Sequence, residues 1–191
     1  WDTLFLEKLL STAEGSSGNK MQLPCTIWQE IHAPVFAILD GSVFGAGLQL
    51  ALGADIRIAS KNVQVSIMET KWGLIPDMGI SLFLPQLMRY DQALNLTLRA
   101  DLINASDAKK LGLITQVSNN PNDEVEKSLS DLSMKSPDAI KSVKKLYKCA
   151  WPSVGKDGLE LEASLQRNLI GTANQMEAVL ANFEKRKARF D

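Results

Sequence analysis

Two carboxylates, Glu69 and Asp77, stand eight residues apart in the run from Met68 to Met78. Glu69 follows the alternating segment Val63-Gln-Val-Ser-Ile67 and is flanked by Met68 and Trp72. A carboxylate among apolar groups loses hydration and becomes a better proton acceptor near neutral pH. Asp77, directly after Pro76, admits two readings: a second acid/base group, or the N-cap of a following helix. Upstream, Gly45-Ala-Gly47 interrupts a long apolar stretch. A glycine turn entering a helix leaves backbone N–H groups open, and these stabilise negative charge on a ligand oxygen. Such donors beside a proton-accepting carboxylate can polarise a carbonyl and move a proton next to it.

The elements that must position these groups follow from apolar spacing. The uninterrupted run Val35-Phe-Ala-Ile-Leu39 predicts a strand covered on both faces, ended by Asp40-Gly41. A buried helix at about 47–53, a strand at 55–59 and a half-buried strand at 63–67 come next. Residues 78–98 read as mostly helical, with Pro85 forcing a break or restart. Asn104-Ala-Ser106 opens a short helix that Gly112 stops, and a strand at 114–117 follows. Ser136-Pro137 supplies a cap and a first-turn proline for a helix through Cys149. Helices at about 156–170 and 174–188 finish the chain, and helical spacing also marks 2–13 and 21–32.

Composition narrows the classes. The chain has 191 residues, is 45% hydrophobic and carries a formal charge of −1, which suits one sizeable core and gives no basic field for nucleic acid. No apolar run approaches the ~20 residues that span a bilayer, and no signal peptide is visible. The expectation is a soluble, intracellular and cytoplasmic protein with no nucleic acid or membrane partner. Cys25 and Cys149, far apart, argue against a disulfide or a metal site, and the single histidine, His32, suits a surface or strand-entry position. Gly45-Ala-Gly47-Leu-Gln-Leu50 lacks the third glycine of a dinucleotide turn, and there is no P-loop.

The segment from Pro34 to Asp55 resembles the heart of the crotonase superfamily, the enoyl-CoA hydratases and isomerases: an apolar strand, Asp-Gly, then a glycine-rich turn into a helix. Further motifs follow in order. Asp55-Ile-Arg-Ile-Ala-Ser60 resembles the family's next strand, and the stretch from Val65 to Gly79 its catalytic-glutamate segment. Ala105 to Ile114 resembles its later helix-to-strand unit, and Asn182 to Phe190 its closing helix. The resemblance implies an α/β fold, a crotonase-like ββα spiral with a helical C-terminal trimerisation region. Residues 1–134 would form the spiral core and 135–191 the helical region, assembled as a homotrimer or hexamer. Family members carry more sequence before the point where this chain starts, so the N-terminal part of the fold is expected to be missing upstream of residue 1.

The same resemblance implies site roles. Glu69 would carry the proton. The Ala46 N–H, set between Gly45 and Gly47, would form half of an oxyanion hole for a thioester oxygen, which alanine permits if its φ stays negative. Coenzyme A would enter as part of an acyl-CoA substrate, with no prosthetic group and no metal. Gln49 stands where two-glutamate hydratases place their second glutamate. It cannot accept a proton at neutral pH, so it either holds a water or substrate through its amide or is a satisfied polar residue of a buried helix. This departure favours isomerisation, which needs one carboxylate, with 2-enoyl-CoA hydration as the alternative. A non-catalytic CoA-binding or scaffold protein is the reading from another class. Asp77 resembles one acid of the dienoyl-CoA isomerases, whose third acid would fall at Gln49 and is absent. Lys185, with Arg186 and Lys187, resembles the family's basic residues near CoA, although a charge run is otherwise a solvated helix face. Trp1, Trp28, Met68, Trp72 and Phe83 would line an acyl pocket or fill the core.

Overall fold

Apolar residues at strand and helix spacing build two small sheets with helices between and after them. The computed structural model describes residues 22–72, 74–151, 168 and 171–190. The elements run α1 (Leu23–Thr26), β1 (Phe36–Leu39), β2 (Ser42–Phe44), α2 (Ala46–Leu52), β3 (Ile56–Ser60) and β4 (Gln64–Ser66). Then come α3 (Ile80–Leu87), α4 (Tyr90–Arg99), β5 (Ile103–Asn104), α5 (Ala105–Lys110), β6 (Gln116–Ser118), α6 (Pro121–Ser133), α7 (Pro137–Ala150) and α8 (Ala173–Phe183). Short 3-10 turns at Ile27–Glu30 and Glu69–Trp72 complete the set. The helices expected at 2–13 and 156–170, together with Trp1, lie outside the described residues.

One sheet has the order β1-β3-β6 with every pairing parallel, and Ile58 of β3 stands opposite both Ile38 and Gln116. The other has the order β2-β4-β5, with β2 parallel and β5 antiparallel to β4. Strands are thus interleaved between two sheets and followed by helices, in line with the α/β spiral that the sequence resemblance implies. Its core gathers Leu39, Leu48, Leu52, Val65, Ile67, Phe83, Leu113 and Ile114 around α2. Each fully buried aliphatic side chain contributes about 1.5–3 kcal/mol relative to exposure.

The chain groups into two compact units, residues up to Ile31 with Val35–Pro121, and His32–Pro34 with Asn122 onward. The division falls at Pro121, so most of α6 goes with the helical unit. In the first unit Gly53 lets α1 close on the end of α2, since a Cβ there would lie 1.9 Å from the Cys25 carbonyl oxygen. Burial also pushes the Cys25 thiol up to about 11. The Asp55 carboxylate accepts from the Val35 N–H at 2.7 Å and anchors the entry to β1. Arg57, buried on β3, donates to the Leu113 and Ala54 carbonyls, and desolvation lowers its pKa while Asp55 opposes that. In the second unit, the Ser136 hydroxyl caps α7 by accepting from the Ala139 N–H, with Pro137 in the first turn, as the sequence predicts.

Three expectations change. β1 is not covered on both faces, because Ile38 is 44% exposed while Leu39 is buried. Pro85 does not break the helix. It sits inside α3, and the break comes where Met88 and Arg89 take extended backbone. Asp77 is not an N-cap: α3 begins after Gly79, whose φ of +97° suits glycine and whose missing side chain offers no cap. Among the described residues no helix is long and apolar enough to cross a membrane.

Candidate active site

The glycine turn and the Glu69 segment meet through side chains brought by β2, α2 and β4. Gly45 takes φ +51°, ψ −119°, a conformation open to glycine, and its N–H donates to the Ser66 carbonyl at 2.9 Å. A Cβ at Gly45 would stand 3.2 Å from Glu69 Oε1, so the turn is closed against the carboxylate. Gly47 differs, since a Cβ there would meet nothing within 4 Å and its φ is not positive. Packing therefore requires the first glycine and leaves the second facing open space. Ala46 opens α2 with a negative φ, and its N–H makes no hydrogen bond among the described residues. First-turn N–H groups have no partner within their own helix, which leaves this one free to donate.

Gln49 joins the parts. Its Nε2 donates to Glu69 Oε1 at 2.6 Å, and its Oε1 accepts from the Met78 N–H at 2.8 Å. At 1% exposure it is buried, and both ends of its amide are hydrogen-bonded, as in a satisfied polar residue of a buried helix. Glu69 Oε2 is buried and has no hydrogen-bond partner among the described residues. Asp77, next to Met78, is half-buried and makes no hydrogen bond or ion pair among them.

Sequence reasoning missed the groups that hold the Glu69 turn. Thr70 Oγ1 donates to the Thr97 carbonyl at 2.7 Å, and Ser66 Oγ donates to the Ala100 carbonyl at 3.2 Å. Two hydroxyls on either side of Glu69 thus satisfy carbonyls at the end of α4, which would otherwise lack partners. The only prior signal was that Ser66 and Thr70 flank the carboxylate. Of the proposed pocket residues, Phe83 is a core member, whereas Trp72 is 69% exposed with Lys71 Nζ 5.7 Å from its ring centroid.

Within the second unit, Lys185 is exposed, has a φ of +53° and makes no ion pair among the described residues. Arg186 is committed elsewhere, donating to both Glu177 oxygens and to Glu184, so it does not join Lys185 as a free cation. Among the described residues no cluster of three or more His, Cys, Asp or Glu side chains could hold a metal ion.

Residues 7–191 match the profile described as enoyl-CoA hydratase/isomerase, and the chain belongs to that family. It is 29% identical over 189 residues to the mitochondrial methylglutaconyl-CoA hydratase of Mus musculus, covering 96% of this chain and 60% of the relative. It is also 29% identical over 174 residues to the peroxisomal Delta(3,5)-Delta(2,4)-dienoyl-CoA isomerase of Arabidopsis thaliana, covering 89% of this chain and 62% of the relative. The crystal structure of an enoyl-CoA hydratase from Polaromonas sp. JS666 matches with a TM-score of 0.82 at 25% identity, over 90% of this chain and 67% of that one. The chain spans 60% of the length of the mouse relative.

Proposed function

We propose that this chain is the catalytic part of an enzyme acting on acyl-CoA thioesters, with isomerisation of an enoyl-CoA as its main reaction. The Ala46 N–H donates to the thioester oxygen as negative charge builds there, and Glu69 removes a proton from the carbon between the thioester and the double bond. The electron pair spreads into a dienolate, and Glu69 returns the proton two carbons away. One carboxylate suffices for both transfers. Asp77, half-buried and without a bonded partner among the described residues, is the candidate second acid/base at the far end of a conjugated substrate. Lys185 is the candidate CoA contact, and a homotrimer or hexamer is the proposed assembly. The apolar stripe of Tyr90, Leu94 and Leu98 along α4, exposed in the single chain, supports that assembly.

The observation that carries this reading is the bond from Gln49 Nε2 to Glu69 Oε1. It uses the amide that hydration by Gln49 and Asp77 would require for water, and it leaves one carboxylate at the turn. Open space beside Gly47 supports approach of a ligand to the Ala46 N–H. The test is to incubate the full-length protein with trans-3-hexenoyl-CoA and with crotonyl-CoA. Conversion to the 2-enoyl thioester is expected to outpace formation of 3-hydroxybutyryl-CoA, and the reverse order would overturn the preference for isomerisation.

A further inference from the structure

We infer that Gln49 is a positioning residue that decides which oxygen of Glu69 takes up the proton, reserving Oε2 for that task. This deepens the proton-carrier role proposed for Glu69 and rests on it. The Met78 N–H can only donate, so the Gln49 oxygen must face it at 2.8 Å. The amide nitrogen then has to face Glu69, where it donates to Oε1 at 2.6 Å. Flipping the amide would set a donor against a donor and a carbonyl oxygen against a carboxylate, so the orientation is closed to exchange. Gly45 keeps room around Oε1, because a Cβ there would crowd it at 3.2 Å.

Oε1 is therefore committed as an acceptor, while Oε2 is buried and has no partner among the described residues. In turnover the substrate C–H bond breaks, its electron pair enters the enolate and its proton forms an O–H bond at Oε2. That O–H bond later breaks as a C–H bond forms two carbons away, restoring the carboxylate. The Gln49 bonds are the same before, during and after, so no polar group has to reorient for the transfer.

Two variants test this in the full-length protein. Gln49→Glu keeps an acceptor for the Met78 N–H but, once ionised, cannot donate to Glu69. The positioning role predicts a fall in kcat on trans-3-hexenoyl-CoA of about 10- to 100-fold at pH 7 with KM near wild type. It also predicts partial recovery as pH falls, because the introduced carboxyl group, once protonated, can donate as the amide does. Asp77, beside Met78, and Lys71, on the Glu69 turn, are the other charged side chains of the two flanking segments. Wild-type kcat and pH profile in this variant would overturn the inference and leave the enzymatic reading standing.

Gln49→Met removes both bonds at similar volume and is read by crystallography. The Glu69 carboxylate is expected to leave its wild-type orientation while α2 and the Gly45 turn stay in place, and an unmoved carboxylate would overturn the inference whatever the activity. Failure of the enzymatic reading looks different: the wild type turns over neither thioester, or Glu69→Gln keeps its activity. A displaced carboxylate in Gln49→Met would then still show that Gln49 orients Glu69, but not that Oε2 carries a proton.

Discussion

Glu69 in the first unit and Glu177 in the second are both held carboxylates, and they are held in opposite ways. Glu177 accepts from the Arg186 guanidinium through both oxygens and from the Arg189 N–H at 2.7 Å. The hydrogen bonds from Arg186, then that from the Arg189 backbone, bring its pKa down to about 2. Both oxygens are engaged by donors, three bonds in all, and the result is a clamp across the end of α8. Glu69 instead receives one neutral amide donor on one oxygen, and its other oxygen has no partner among the described residues. A carboxylate engaged at both oxygens is a structural link, whereas one fixed at a single oxygen leaves the other open to a proton. Under the proposed function, incomplete satisfaction is what marks Glu69 as the reactive carboxylate, since buried polar groups are normally paired.

The largest effect that could break this contrast comes from Glu69→Gln. It keeps size and removes the proton acceptor, so kcat on the accepted enoyl-CoA should fall by about 100- to 10,000-fold. Unchanged turnover would favour the scaffold reading.

A smaller effect is expected from the two glycines of the turn. Gly45→Ala places a side chain in a backbone region that favours glycine and against Glu69 Oε1, costing about 1–3 kcal/mol. Thermal unfolding should show a Tm lower by several degrees, at ~2–4 °C per kcal/mol for a chain of this size. Gly47→Ala, with nothing within 4 Å of the added carbon, should leave Tm near wild type. Equal losses in both variants would remove the distinction between a glycine required by packing and one facing open space.

The smallest effect belongs to Glu177. Its native pKa lies below the ordinary 4.5, so its stabilising contribution is present above that value and is lost as pH falls toward about 2. The Tm difference between wild type and Glu177→Gln should therefore shrink across that window and weaken with added salt, as exposed pairs do. A difference that grows on acidification would contradict the clamp.

Much of the fold could be read from local chemistry. The glycine turn, the helix start at Ser136-Pro137 and the stop at Gly112 depend on backbone conformations that few residue types accept, and each stands where the sequence puts it. Pro85 misled because proline disrupts an isolated helix, while here α3 runs through it against the buried Phe83 and Leu84. The apolar run of β1 predicted cover on both faces, yet Ile38 is 44% exposed, because an apolar pattern does not record which face of a strand receives a neighbour.

For the candidate site, residue types and order placed Glu69, Ala46 and Gln49 on their elements, because turns and helix starts are written over a few neighbouring positions. The bonding of Gln49 came from further away. Its partners, Glu69 and the Met78 N–H, lie 20 and 29 residues along the chain. Periodicity carries no record of such pairings, since they exist once packing brings the segments together. The amide that stands in place of a second acid could thus be noticed in the chain, but its task of holding one oxygen of Glu69 emerged from the folded arrangement.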